Sequence, residues 1–510
     1  MLFNSLAFAV FLPLVFLIYW AAPQKYRYIV LLISSYYFYM SWNAKYVVLI
    51  LFTTGISYLC AVWMEKFQKR NAKRMLMAGA VAASLLVLFF FKYFDFAQNI
   101  FIRLLSSFAI KLHPVTLSLM LPVGISFYTF QTLSYVIDVY KGEVEAEHNF
   151  FKYAAFISFF PQLVAGPIER TKNLLPQIDC EHRFTYEKGS YGMKLMAWGF
   201  FKKLVIADNL AVFVDKVFED AGAYHGFALV LAVFFFTLQI YCDFSGYSDI
   251  AIGTAKLFDI DLMTNFKSPY FSTSVKEFWR RWHISLSSWF KDYVYIPLGG
   301  NRVSKFRNVF NVLATFTLSG LWHGAAFTYV IWGGLHGALQ CVENLLFPKK
   351  KEIVRAEGKP LSDRAGIGGG KKAAGWEEHG KNGAEAKKRG ITWWLKAAFV
   401  FCLVAGAWCF FRASSVSQAL YIFAHMKDGL GHPVSYILSG IRAFDTKALK
   451  QMIVPVALLA VYDYAALDRD PLVTIGKLPS PVRRALYYAF LLMVLLLASF
   501  NSQEFVYFQF

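Results

Sequence analysis

Apolar residues run in blocks about as long as a bilayer is thick, separated by short polar breaks. Residues 114–137 and 485–503 carry no charge, and 308–342 contain no Lys, Arg, Asp or Glu. A helix needs about 20 apolar residues to cross the hydrocarbon core. Candidate spans fall at 3–20, 28–42, 46–63, 75–94, 116–137, 150–166, 192–214, 227–245, 309–342 (one broken or two short), 394–411, 451–467 and 485–501. Several such segments imply an all-α bundle, because lipid offers no water to unpaired backbone groups. The expectation is a polytopic integral membrane protein with about eleven transmembrane helices, plus re-entrant or interfacial helices. The expected divisions are N-terminal helices at 1–115, a core at 116–347, a linker at 348–390 and C-terminal helices at 391–510.

Charge orients the bundle. Lys66, Lys69, Arg70, Lys73 and Arg74 crowd the end of one apolar run. Cytoplasmic loops carry such excess. The same bias assigns 23–27, 348–389 and 477–484 to the cytoplasm, and an odd number of crossings leaves both termini outside. Residues 1–20 have no positive charge before their apolar run, so they read as a first spanning helix rather than a signal peptide. The insertion 348–389 holds Lys349, Lys350 and Lys351, Gly368 to Gly370, and Lys387, Lys388 and Arg389. It reads as a flexible cytoplasmic linker. Its Gly-Lys step is no phosphate loop, since Ala365 replaces the first glycine and Lys372 the Ser or Thr.

Composition supports this picture. The 510 residues are 57% hydrophobic and 17% charged, unlike a soluble domain of this length. The net charge of +19 would suggest nucleic acid in a soluble protein. Here it tracks the ends of apolar runs, so membrane lipids are the expected partner and nucleic acid is not. The six cysteines form no C-x-x-C pair, and no His/Cys spacing suggests zinc. No metal is expected.

The chemistry concentrates in 120–340, where ionisable groups sit at membrane depth. Asp243 and Asp249 lie in Tyr241-Cys-Asp-Phe-Ser-Gly-Tyr-Ser-Asp249, and His283 follows Phe278-Trp-Arg-Arg-Trp282. Such placement is costly and points to function. Ser274 and Glu277 form a capping box that starts an amphipathic helix. Phe278, Trp282 and Trp289 share one face of it, while Arg280, Arg281 and Lys291 suit headgroups or phosphates. The plainer alternative is an interfacial aromatic belt; the sharper one makes His283 a polar member of a reaction chamber.

His323, in Ser319-Gly-Leu-Trp-His-Gly-Ala325, is a neutral base able to take a proton near neutral pH. Gly320 and Gly324 beside it permit close approach. The plainer alternative is a histidine bonding neighbouring helices. His336 is its rival, but 13 residues of continuous helix place it about 20 Å away and about 140° around the axis. It therefore reads as a packing or capping residue unless the chain breaks, for example at Gly333-Gly334. No H-E-x-x-H, G-x-S-x-G or dinucleotide fingerprint occurs. A membrane-embedded base without metal or evident nucleophile suits acyl transfer to a hydroxyl.

At this point the motifs resemble the membrane-bound O-acyltransferase family. The residues that carry the likeness are Pro122-Val-Gly-Ile-Ser-Phe-Tyr-Thr-Phe-Gln131, Pro161-Gln-Leu-Val-Ala-Gly-Pro-Ile168, the 241–249 and 278–283 stretches, Leu321-Trp-His-Gly324 and Phe505-Val-Tyr-Phe-Gln-Phe510. They follow in order along most of the chain. Length and Ile296-Pro-Leu-Gly-Gly-Asn-Arg302 look more like the alginate-acetylating bacterial branch than the shorter D-alanyl branch.

The resemblance implies that His323 and His283 are catalytic. It places Trp322, Asp243, Ser245, Trp279, Arg280 and Trp282 in substrate-binding roles. It implies acyl transfer, with acetyl as the expected group, from a cytoplasmic thioester such as acetyl-CoA across a bacterial inner membrane. No bound cofactor is expected. The acceptor would be an exported or envelope polysaccharide, reached through an extracytoplasmic acyl-accepting or acetyltransferase partner. The alternatives are D-alanyl transfer to teichoic acid from an acyl carrier protein and, in another class, a lipid or sugar exporter. The lack of internal repeats weighs against the exporter.

Overall fold

The computed structural model describes residues 1–115, 119–164, 166–347, 389–499 and 505–506. The expected linker at 348–390 lies almost wholly outside them. The described residues are helical, with no strand among them. Among the described residues, six helical segments are long and apolar enough to cross a membrane: Gln24–Lys66, Arg70–Ser106, Phe227–Leu257, Ile391–Arg412, Thr446–Ala465 and Ser480–Leu497. Leu6–Ala21 is a shorter apolar helix.

Several expected spans take other forms. The 116–137 block becomes a helix only from Ile125 to Lys141, after Gly124 at φ 77°. The 150–166 block stops at Ser158 and resumes as the single turn Phe160–Leu163. The 192–214 block runs continuously from Tyr186 to Glu219, through a π-helical stretch at Phe201–Ala207.

Phe227–Leu257, 31 residues long, is the central post. The Tyr186–Phe200 helix packs on it at backbone distance. A Cβ on Gly199 would sit 2.6 Å from the Gly246 carbonyl oxygen, and one on Gly192 at 2.6 Å from that of Gly253. The glycines recur every seven residues on both helices, so the contact is legible as a small-residue seam. The π stretch that follows brings Lys202 and Lys203 inside. Lys203 pairs with Asp208 at 2.8 Å and Asp243 at 2.7 Å, and Lys202 with Asp249 at 2.6 Å.

The two faces can be followed through contacts. Glu65 accepts the Ala146 N–H at 2.9 Å, Arg27 donates to the His182 carbonyl at 2.8 Å, and Lys188 pairs with Asp259. Arg170 pairs with Asp292 at 3.0 Å, and Arg389 with Asp468 at 2.8 Å. These loops share a face with Lys66 and Arg70, here the basic face. On the opposite face Arg412 meets Asp215 at 2.6 Å and Lys216 donates to the Ala443 carbonyl at 2.9 Å.

Two elements enter from the basic face and turn back inside. One is the pair Val275–Arg281 and Ile284–Phe290, with His283 at its apex. Lys276 N–H donates to Glu343 at 3.2 Å at one foot, and the Tyr293 hydroxyl donates to Asp138 at 2.7 Å at the other. The second is an antiparallel hairpin, Lys305–His323 and Phe327–Leu346, with His323 at its tip.

Candidate active site

Local backbone chemistry places each histidine. His323 ends its helix because Gly324 and Ala326 are extended, at φ −160° and −146°. The turn is tight since Gly324 lies against the Tyr329 ring, and Gly320 and Gly333 let the hairpin arms touch at the backbone. A helix terminus leaves its last carbonyls unpaired. Here Lys92 Nζ donates to the Trp322 and His323 carbonyls at 2.7 and 3.0 Å, and the Tyr93 hydroxyl donates to that of Leu321 at 3.1 Å. Both donors lie in the π-helical turn Phe89–Tyr93. A cation at a helix C-terminus also suits the dipole.

His283 caps the Ile284–Phe290 helix at φ 42°, ψ 55°. This left-handed conformation is uncommon for a residue with a Cβ and marks strain held in place by its surroundings. Asn265 does the holding. Its Oδ1 faces Ser285 N–H at 3.3 Å, Ser285 Oγ at 3.0 Å and His283 Nδ1 at 3.1 Å. A main-chain N–H can only donate, so this Asn265 atom is the oxygen and His283 Nδ1 carries the proton. In the neutral ring the Nε2 lone pair is then free. Nε2 is buried and has no hydrogen-bond partner among the described residues. Ser285 Oγ also accepts the Ile168 N–H at 3.0 Å, tying the Pro161–Ile168 motif to the same knot.

The two apices meet. The His283 and His323 rings are 6.4 Å apart, and Trp322 lies 6.1 Å from His283. Trp332 and Phe411 flank His323 at 5.1 and 5.4 Å. The ring nitrogens of Trp322, Trp332, Trp408 and His336 Nε2 are buried without partners among the described residues. So many buried polar atoms in one place mark a chamber for polar groups, because a native core leaves few unsatisfied.

His336 joins this chamber. The chain breaks at 324–326, directly after His323, rather than at Gly333-Gly334. The hairpin brings His336 back to the far side of Trp332, 5.1 Å from that ring. Its Nδ1 accepts from Trp279 Nε1 at 3.3 Å, so Trp279 reaches the site through His336. Trp282 is buried against Trp408 at 4.9 Å. Arg280 is exposed.

Asp243 and Ser245 both bond to lysines of the π-helical stretch. Asp243 binds Lys203 and accepts the Val506 N–H at 2.8 Å; Ser245 accepts from Lys202 at 2.9 Å. A buried carboxylate needs a counter-charge, and the π-helical lysines supply it. Beside Val506, Phe505 packs 5.7 Å from Phe244, which stands edge-on to His283 at 4.6 Å.

A pocket reaches His323. It is lined by Lys92, the 121–127 stretch, Val164, Trp322 and His323. The 121–127 stretch opens the helix whose other end, Lys141, lies beside Glu143 on the basic face. The pocket therefore opens toward the opposite face. Among the described residues no group of three or more His, Cys, Asp or Glu could hold a metal ion.

Lys92, Asn265 and Trp332 escaped the sequence reading. Lys92 left a signal, a lone charge in Leu85-Leu-Val-Leu-Phe-Phe-Phe-Lys-Tyr93, costly at that depth. Asn265 and Trp332 left none.

Fold and site together define a multi-pass membrane protein in which two buried histidines face each other. Comparison with known proteins identifies it. The sequence pattern of the membrane-bound O-acyltransferase family matches residues 143–351. A probable alginate O-acetylase of Pseudomonas aeruginosa is 43% identical over 350 residues, 68% of this chain and 66% of its own length. One from Azotobacter vinelandii is 37% identical over 84% of this chain and 78% of its own. A peptidoglycan O-acetyltransferase of Helicobacter pylori is 37% identical over 66% of this chain and 69% of its own. The chain belongs to the membrane-bound O-acyltransferase family and is an acyltransferase.

Proposed function

We propose that this chain acetylates a hydroxyl of an exported or cell-envelope polysaccharide, using a thioester donor, acetyl-CoA, delivered to its basic face. That face is the cytoplasmic side of a bacterial inner membrane, by its excess of Lys and Arg. The chain crosses that membrane about eleven times, counting helices too short or too charged to qualify singly. The acceptor reaches the pocket from outside, directly or as an acyl-accepting serine of an extracytoplasmic partner. The observation that carries this reading is the meeting of His283 and His323 at 6.4 Å, on two elements rooted in the basic face, where a pocket from the other face ends.

In this reading His323 takes the hydroxyl proton as the oxygen bonds to the thioester carbonyl carbon. The carbonyl π pair moves onto its oxygen, then returns as the C–S bond breaks, and the thiolate leaves with the proton. His283 supports the step from the other side through its free Nε2. Base catalysis of this kind is worth about 10²–10⁴-fold. The test is His323→Ala at matched membrane abundance, with acetyl transfer from labelled acetyl-CoA to envelope glycan as readout. Loss of transfer by about 10²-fold or more is expected; undiminished transfer refutes the assignment.

A further inference from the structure

The pocket beside His323 contains a cation that this chemistry has not used. Lys92 is half-buried, within an apolar helix, and pairs with no carboxylate among the described residues. An ammonium carries three N–H bonds. Two reach the Trp322 and His323 carbonyls. The side chain also lines the pocket with His323 and Ser126. A neutral donor would have capped those carbonyls equally well, as the neighbouring Tyr93 hydroxyl does for Leu321. Keeping a charge at membrane depth is expensive, and such charges are kept where they meet an opposite one.

We propose that Lys92 holds a negatively charged oxygen in this pocket, beside His323. The proposal rests on the reading of His323 as the base. The shared ligand chemistry is an anionic oxygen with two sources. One is the oxyanion that appears on the donor carbonyl when the hydroxyl adds. The other is a carboxylate carried by the acceptor sugar. In the first case Lys92 is catalytic, and in the second it selects acidic glycans.

The test uses the full chain in native membranes, with labelled acetyl-CoA and two acceptors: a hexuronate oligomer and its carboxyl-reduced counterpart. Lys92→Gln keeps a donor for the two carbonyls but no charge; Lys92→Arg keeps the charge. If the anion is the oxyanion, Lys92→Gln lowers kcat with both acceptors by about 10²–10³-fold, the usual loss of an oxyanion donor. If it is an acceptor carboxylate, KM rises about tenfold or more for the hexuronate alone, the scale of one charged contact. Lys92→Arg restores a large part of either loss. Lys92→Gln within twofold of the parent with both acceptors overturns the proposal. So does failure of both variants to accumulate in the membrane, which makes Lys92 a structural cap. His323→Ala in parallel separates the two readings: an inactive His323→Ala beside a normal Lys92→Gln removes only the role of Lys92.

Discussion

Two adjacent glycines allow the hairpin to be tested with its own control. Gly333 and Gly334 both lie in the Phe327–Leu346 helix. A Cβ on Gly333 would collide with the Phe316 carbonyl oxygen, a main-chain atom that cannot swing aside, and would lie 3.1 Å from the Gly320 Cα. A Cβ on Gly334 would find only Thr317 Oγ1, at 4.0 Å. Alanine at 334 should therefore be neutral or stabilising, since Ala exceeds Gly in helix propensity by about 0.8–1.0 kcal/mol. Alanine at 333 must separate the arms by about 1 Å, an overpacking cost of about 1–3 kcal/mol. The same movement displaces His323 from Lys92 and from His283, and a misplacement of that size costs about 10²-fold in rate. The assay pairs thermal denaturation in detergent with acyl transfer at matched abundance. Gly333→Ala should lower both, and Gly334→Ala neither. Equal behaviour of the two variants would refute the claim that backbone contact sets the position of His323.

Other outcomes follow from buried charge. Lys203→Met strands Asp208 and Asp243, an effect of about 3–5 kcal/mol for a broken buried pair. The variant should be lost from membranes or melt far below the parent, whereas Asp243→Asn, which leaves the Lys203–Asp208 pair, should be milder; an unchanged melting temperature for Lys203→Met would contradict this. Glu169, fully buried outside the spanning helices, accepts from Asn173 at 2.7 Å and Met263 N–H at 2.5 Å. Burial pushes its carboxyl up to about 7. A carboxyl raised on folding binds its proton more tightly in the native state, so stability falls as pH rises from the unfolded value near 4.3 to about 7 and then levels off. Glu169→Gln should thus gain thermal stability over the parent at pH 8.5 and little at pH 4; the reverse order would refute it.

His336 shows where linear reasoning reaches its limit. Helix geometry separates it from His323 only while the helix is continuous, and the hydrophobic pattern from 308 to 342 does not break. The break at 324–326 comes from packing: Gly324 yields to the Tyr329 ring, while Lys92 and Tyr93 satisfy the carbonyls released there. Asn265 illustrates the same limit. Nothing in its neighbourhood distinguishes it from a loop residue, yet it sets the tautomer of His283 from 18 positions away. Asp243 and Ser245 were visible as polar residues at membrane depth, but not their pairing with Lys203 and Lys202, which depends on the π turn.

The sequence by itself determined the membrane setting, the helical class, the acyltransferase family and the two histidines of interest. Apolar block length, charge placement and ordered motifs are local properties, and they survive being read one residue at a time. Only the tertiary structure decided that His283 and His323 face each other, that Lys92 caps the helix end where the pocket meets His323, and that His336 returns to the same chamber. Those relations span up to 231 positions along the chain. They arise because backbone groups freed at helix ends inside a bilayer must find partners within the protein, wherever those partners lie in the sequence.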